Sequence, residues 1–271
     1  MNFLDLIYPN DIYCIACGRP LPAGAALPLC EKCTSEILWV GGRLCSKCGK
    51  PLSDNNPKDI CYDCDCEEHY FDKGYSCALY HGHTADIIRD LKYRDKPGYC
   101  DAVAALMVAR LKAEADGSTG ELPAWDAIVP VPMYHVKKEK RGYNQADLIA
   151  RGLAGTLDIP FFANVLKRNR DTGIMSSLSL GDRMQNLAGA LYVDSYYSEK
   201  LCGKKILLVD DVYTTGSTAD ACAEVLKSSG CVSVDLITFA IGADARQKSA
   251  QDVVPDTELF YNSSDNLQFG L

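Results

Sequence analysis

Eight cysteines stand in two copies of one pattern, and no other feature restricts the N-terminal part of this 271-residue chain so tightly. Cys14, Cys17, Cys30 and Cys33 read C-x2-C-x12-C-x2-C, and Cys45, Cys48, Cys61 and Cys64 repeat it 31 positions later. The flanks repeat too: "CIACGRPL" and "CSKCGKPL" each place Gly, a cation, Pro and Leu after the second cysteine. Such a turn lets backbone amides face thiolates. Four thiolates satisfy a tetrahedral Zn2+ and leave no open position, so the spacing predicts two structural zinc sites. Spacing leaves tandem and interleaved ligand sets both open. With little apolar residue to bury, the segment would draw its folding energy from the metal. Disulfides would suit a small secreted chain, but "MNFLDLIYPNDIYC" has no basic region ahead of an apolar segment. The chain also lacks a run of about eighteen apolar residues, so the expectation is a cytoplasmic protein without membrane insertion. Cys66 is a spare thiol beside the repeat; Cys77, Cys100, Cys202, Cys222 and Cys231 lack metal spacing and read as small buried side chains.

A second stretch, "KKILLVDDVYTTGSTADACAEVLKSSG" from Lys204 to Gly230, sets two adjacent carboxylates after an apolar run and follows them with a hydroxyl-rich loop. Ile206 to Val209 is continuous and β-branched-rich, the pattern of a strand buried on both faces of a parallel sheet. From Ser217 the apolar residues Ala221, Val225 and Leu226 recur at helical spacing, and Gly230 closes the segment. The first turn of that helix has unpaired N–H groups and a positive dipole end, so Thr214, Thr215, Gly216, Ser217 and Thr218 suit a phosphate. Asp210 and Asp211 would repel that phosphate and suit what lies beside it, sugar hydroxyls or a Mg2+ held through water. One ligand class joins these features: a phosphorylated ribose. No G-x-x-x-x-G-K-[ST] is present, which argues against a P-loop hydrolase.

The rest alternates strands and helices. "YSCALYHG" reads as a strand and "HTADIIRDLKYRDK" as a helix, followed by a helix from Tyr99 to about Ala115. "DAIVPVP" is a buried strand stopped by Pro130 and Pro132. A helix from Asn144 to Leu157, strands Phe162 to Lys167 and Leu187 to Val193, and a last strand Ser233 to Ala240 complete the set. Such alternation calls for a parallel sheet, whose ligands bind beyond the carboxyl ends of its strands. The expected organisation is a double zinc module over residues 1–68, an α/β domain over 69–245 and a tail over 246–271. His81 and His83 flank Gly82 and read as an exposed helix start.

"ILLVDDVYTTGST" resembles the phosphoribosyl pyrophosphate (PRPP) signature of type I phosphoribosyltransferases. "VPVPMYHVKKEKRGYNQADLIA" and "CIACGRPL" narrow the resemblance to the ComF family of competence proteins. It implies an α/β, type I phosphoribosyltransferase-like parallel sheet flanked by helices, with the double zinc module at the N-terminus. It also implies a Mg2+-dependent transferase. Asp210 and Asp211 would hold ribose hydroxyls and, through water, the Mg2+, and residues 214–218 would hold the 5-phosphate. Val131 would lie in the pyrophosphate loop, and "MYHVKKEKRGYNQ" would be a mobile lid whose Arg141 neutralises the leaving pyrophosphate. Lys92 of "LKYR" matches a family position as well. The acceptor would be an unidentified nitrogen nucleophile.

Two departures stand out. Family members read roughly "RxxTxxQxxLxxxxRxxN" after the lid; the stretch Arg168-Asn169-Arg170-Asp171-Thr172 retains the start, and Leu178, Arg183 and Asn186 retain the end, but Met175 stands at the glutamine. Purine-salvage relatives place an acid near the start of the phosphate loop, where this chain has Thr214, which disfavours purine salvage.

The other function class is binding without turnover, by a protein that senses PRPP or a nucleotide or binds a macromolecular partner. A formal net charge of −8 opposes a broadly basic nucleic-acid surface. Local basic clusters do exist at Arg89, Lys92, Arg94 and Lys96, and at Lys137, Lys138, Lys140 and Arg141. The resemblance implies a role in DNA uptake, with single-stranded DNA or a competence helicase as partner and these cations along the path.

Overall fold

The computed structural model describes residues 13–94, 96–116, 121–170 and 190–243. In chain order these form α1 (Glu31–Glu36), α2 (Tyr62–Cys66), β1 (Gly74–Leu79), α3 (Gly82–Tyr93), α4 (Tyr99–Asp116) and β2 (Ala127–Pro130). Then follow α5 (His135–Arg141), α6 (Gln145–Leu157), β3 (Leu166–Arg168), β4 (Leu191–Val193), α7 (Ser198–Leu201), β5 (Lys205–Tyr213), α8 (Ser217–Ser228) and β6 (Ser233–Ile241).

β1, β6, β5 and β2 lie side by side in that order, all parallel. The strands are buried on both faces, as their unbroken apolar runs require. Leu207, Val209, Ile237 and Phe239 pack on one side with α3, α4 and α6 through Ile88, Leu106 and Leu153. Ile206, Leu208, Val234 and Leu236 pack on the other with α8 through Cys222, Ala223 and Leu226.

Two sequence expectations change. Residues 162–167 and 187–193 were expected to continue the strand alternation. Instead Phe161 makes a single bridge to Ile128 of β2, and Asn164 then takes a left-handed φ of 60° that no extended strand accommodates. The chain turns away from the sheet there. Leu166–Arg168 instead pairs with Leu191–Val193 as a separate antiparallel ribbon. The signature strand is also longer than its apolar run: β5 continues through both aspartates to Tyr213, with Asp210 in register with Thr238. The pattern positions Thr172, Met175, Leu178, Arg183 and Asn186, residues 187–189 of the second expected strand, and the tail lie outside the described residues.

The cysteine repeats are built into this sheet. Residues 38–40 pair antiparallel with the outer edge of β1: Val40 N–H donates to Cys77 O and Leu79 N–H to Leu38 O, both at 2.8 Å. An exposed edge strand is thereby covered. Neighbouring residues on such a strand face opposite ways. Trp39, fully buried, joins the first repeat to the core of α3, α4 and α6, whereas Val40 joins the second repeat to the core of α8. The module therefore has more apolar burial than its own length supplies, because it borrows the sheet's two faces. Replacing Trp39 by Ala would cost about 3–5 kcal/mol.

Candidate functional site

Each repeat gathers its own four sulfurs. Cys14, Cys17, Cys30 and Cys33 form one cluster and Cys45, Cys48, Cys61 and Cys64 the other, with all ligand atoms of a cluster within 4.8 Å of one another. The arrangement is tandem, not interleaved. A tetrahedral site with Zn–S bonds of about 2.3 Å has S···S edges of roughly 3.8 Å. Cys17 and Cys30 sulfurs are 3.8 Å apart and Cys48 and Cys61 sulfurs 3.6 Å, so both sets fit a bound zinc ion. Cys61 N–H points at Cys45 Sγ at 3.3 Å, an amide-to-thiolate contact made by the third cysteine rather than by the turn after the second. α1 and α2 each begin right after the third cysteine and carry the fourth. The two centres differ in access: Cys17 is exposed in the first, whereas all four ligands of the second are buried. The second turn also lies directly on β1, where a Cβ on Gly74 would sit 2.7 Å from Cys48 O.

The second candidate site lies at the carboxyl ends of β5 and β6. Asp210, residues Val212–Ala219, Leu236 and Thr238 line a cavity of about 280 Å3. Gly216 caps α8 with φ 85°, a left-handed conformation that glycine adopts freely, and as the N-cap residue it offers no side chain of its own to the N–H groups of the helix's first turn. Thr215 and Ser217 hydroxyls meet at 3.1 Å on the rim. Amide hydrogens, a helix dipole and hydroxyls thus converge on one concavity, a combination that favours an anion. The structure places all five of residues 214–218 on its wall.

The two aspartates have different surroundings. As neighbours on a strand they face opposite ways. Asp210 lines the cavity, and its Oδ1 accepts the Asp211 N–H at 2.9 Å. Burial first, and the adjacent Asp211 carboxylate second, push Asp210 up to about 8. Asp211 points toward α3, where Lys92 Nζ stands 2.8 Å from its Oδ2 and both side chains are largely buried. Burial alone would lower Lys92, but Asp211 outweighs it and the ammonium is held above its ordinary range.

The expected lid is ordered locally as α5, with no buried residue, and Gly142 ends it at φ 87°. Arg141 Nη1 donates to Gln145 Oε1 at 2.6 Å, and its guanidinium stands 5.7 Å from the centre of the Tyr93 ring. Val131 is buried just past β2 and is tied to the lid's far end: Asn144 Nδ2 donates to Val131 O at 3.0 Å, while Asn144 Oδ1 accepts the Ala146 N–H and caps α6. Tyr143 Oη donates to Leu91 O at 2.6 Å, next to Lys92. His83 reaches Glu36 of α1 at 2.8 Å, a contact between first repeat and α3 rather than a catalytic one.

Sequence reasoning overlooked Asn144, Tyr143 and Thr238. Asn144 had a usable signal, an amide three residues past a cation cluster and immediately ahead of a helical apolar pattern. Thr238 had none, since only the β5–β6 register brings it to Asp210.

A double zinc ribbon domain matches residues 3–65, and a phosphoribosyl transferase domain matches residues 126–270, slightly over half of the chain. The chain is 31% identical over 217 residues to Competence protein F of Haemophilus influenzae, across 80% of this chain and 85% of that protein. It is 32% identical over 150 residues to DNA utilization protein YhgH of Salmonella typhi, spanning 55% of this chain and 63% of that one. A shorter match, 30% over 103 residues, joins it to Competence protein ComFC of Bacillus subtilis, across 38% and 39% of the two chains.

Proposed function

The chain belongs to the ComF family of competence proteins, a double zinc ribbon joined to a type I phosphoribosyltransferase fold, and from that premise we propose that it binds PRPP with Mg2+ and transfers its phosphoribosyl group. The observation that carries this reading is the cavity beyond β5, which sets an acid, Asp210, beside the glycine-capped start of α8. Thr214, Thr215, Gly216, Ser217 and Thr218 hold the 5-phosphate through amides and hydroxyls. Asp210 accepts from the ribose hydroxyls; Asp211, fixed by Lys92, holds the backbone of the acidic corner in place. Mg2+ bound with PRPP would neutralise charge on the pyrophosphate, with Asp210 the fitting outer ligand. The C1–O bond breaks with its electron pair leaving on pyrophosphate, a nitrogen acceptor forms the new bond to C1, and its proton goes to solvent. Val131 and Arg141 line the leaving-group side, and closure of α5 over it keeps water from the cationic C1.

Names of the relatives, competence and DNA utilization, support placing this activity in the uptake or use of DNA. One observation favours a second reading, binding of single-stranded DNA: Tyr93 is 76% exposed beside Arg141, close to the exposed cations of α5. Exposed rings among cations stack bases. The two readings separate in one assay, pyrophosphate release from PRPP with ammonia and a broad panel of nitrogen acceptors. Release supports transfer; a protein that binds PRPP and releases none with any acceptor leaves only the binding role.

A further inference from the structure

The second zinc ribbon and the α8 loop meet through one side chain. Tyr213 closes β5 immediately ahead of the loop and is 3% exposed. On the ribbon side, Phe71 packs edge-on against it with ring centres 6.0 Å apart, and Lys50 Nζ lies 5.7 Å from its ring centre. Lys50 is itself buried and ion-paired with Asp63, the residue before ligand Cys64. On the loop side the hydroxyl lies against Gly216, where an added Cβ would stand only 2.5 Å from it.

That hydroxyl is buried and, among the described residues, has no hydrogen-bond partner. An unpaired buried hydroxyl opposes folding, and phenylalanine would fill nearly the same space without that cost. The oxygen therefore does something other than stabilise the core. It carries the ring's reach up to the backbone of Gly216, the residue that sets the start of α8. The segment leading from the ribbon grips the same turn at a second point: His69 Nδ1 lies 2.5 Å from Asp220 Oδ2, and Tyr70 N–H donates to Asp220 Oδ1 at 2.9 Å. Two contacts from one side hold the loop's first turn at both ends.

We propose that Tyr213 is a positioning residue, a strut by which the seating of the second zinc ribbon sets the spacing of the phosphate-binding amides at Gly216 to Thr218. This rests on the reading of that loop as a 5-phosphate site. Devices of this kind trade stability for a preorganised site.

The test is Tyr213→Phe in the full zinc-loaded chain, with ribose 5-phosphate as the probe. Three quantities are read: its Kd, hydrogen exchange in the peptide covering residues 214–218, and the thermal midpoint. The strut predicts binding weakened by about tenfold to a hundredfold, the effect of losing one well-aligned amide hydrogen bond to a charged phosphate. It also predicts faster loop exchange and a thermal midpoint that does not fall. A purely structural tyrosine would lower the midpoint instead. Unchanged affinity overturns the proposal. So does weakened affinity with unchanged loop exchange, because the hydroxyl would then act on the ligand directly. Wild-type protein that binds no ribose 5-phosphate overturns the underlying reading of the loop, which is a different result from equal binding by both proteins.

Discussion

Lys92 of α3 and Asp211 of β5 form an ion pair of 2.8 Å across the interface between helix and sheet, with side chains 21% and 3% exposed. Removing one partner of a buried pair strands the other charge. Lys92→Met is expected to lower the unfolding free energy by roughly 3 kcal/mol, and the double change Lys92→Met with Asp211→Asn to recover much of it. Urea unfolding measures both. Equal midpoints for wild type and Lys92→Met would show the pair is not structural.

Asp210 gives a pH dependence of definite sign. Its folded value lies near 8, above the ordinary carboxyl value of 3.8. Between those limits the folded state keeps a proton that the unfolded state releases, so this residue's contribution to stability falls as pH rises through that window and is restored below it. Binding that needs the carboxylate runs the other way: affinity for Mg2+ and PRPP should climb by up to about tenfold per pH unit and level off above about 8. Asp210→Asn should flatten the profile. Affinity that is already flat in the wild type contradicts the assignment.

Differential access predicts ordered zinc loss. A strong chelator should empty the first centre, with exposed Cys17, before the second, whose ligands are all buried. Release followed with a colorimetric zinc indicator should show two phases. Because Leu52 of the second repeat and Val40 and Phe71 on either side of it pack into the core of α8, loss of that repeat's metal should also remove the chain's resistance to trypsin. A single phase, or unchanged resistance after both ions are shown to be gone, would contradict this.

Asn144 joins the carbonyl of Val131 to the start of α6. Asn144→Ala should cost about 1–2 kcal/mol as a lost cap and leave a buried carbonyl unpaired. If Val131 lines the pyrophosphate side, as proposed, pyrophosphate binding should weaken more than ribose 5-phosphate binding. Equal weakening of both would argue for a global effect.

Cysteine spacing declared the zinc centres because metal ligation is a local requirement, and "VDDVYTTGST" declared the strand, loop and helix because the apolar run, the small hydroxyl-rich turn and the helix start are local signals as well. What stayed hidden depends on pairing over long separations. Whether the two cysteine sets were tandem or interleaved could not be read until their sulfurs were placed. The opposite facing of Asp210 and Asp211 needed β5 to extend past its apolar run, which tertiary pairing with β6 decides. Residues 162–167 had the composition of a strand, yet the left-handed turn at Asn164 cut it short. Lys50 read as an ordinary cation after a zinc turn, while its burial against Tyr213 joins residues 163 positions apart.

The most direct measurement is a calorimetric titration of the zinc-loaded protein with PRPP and Mg2+, beside a variant carrying Asp210→Asn and Asp211→Asn. A PRPP site at the end of β5 requires saturable binding by the wild type that the variant loses while remaining folded. Absence of binding by folded, zinc-loaded wild type, or equal binding by both proteins, would contradict it.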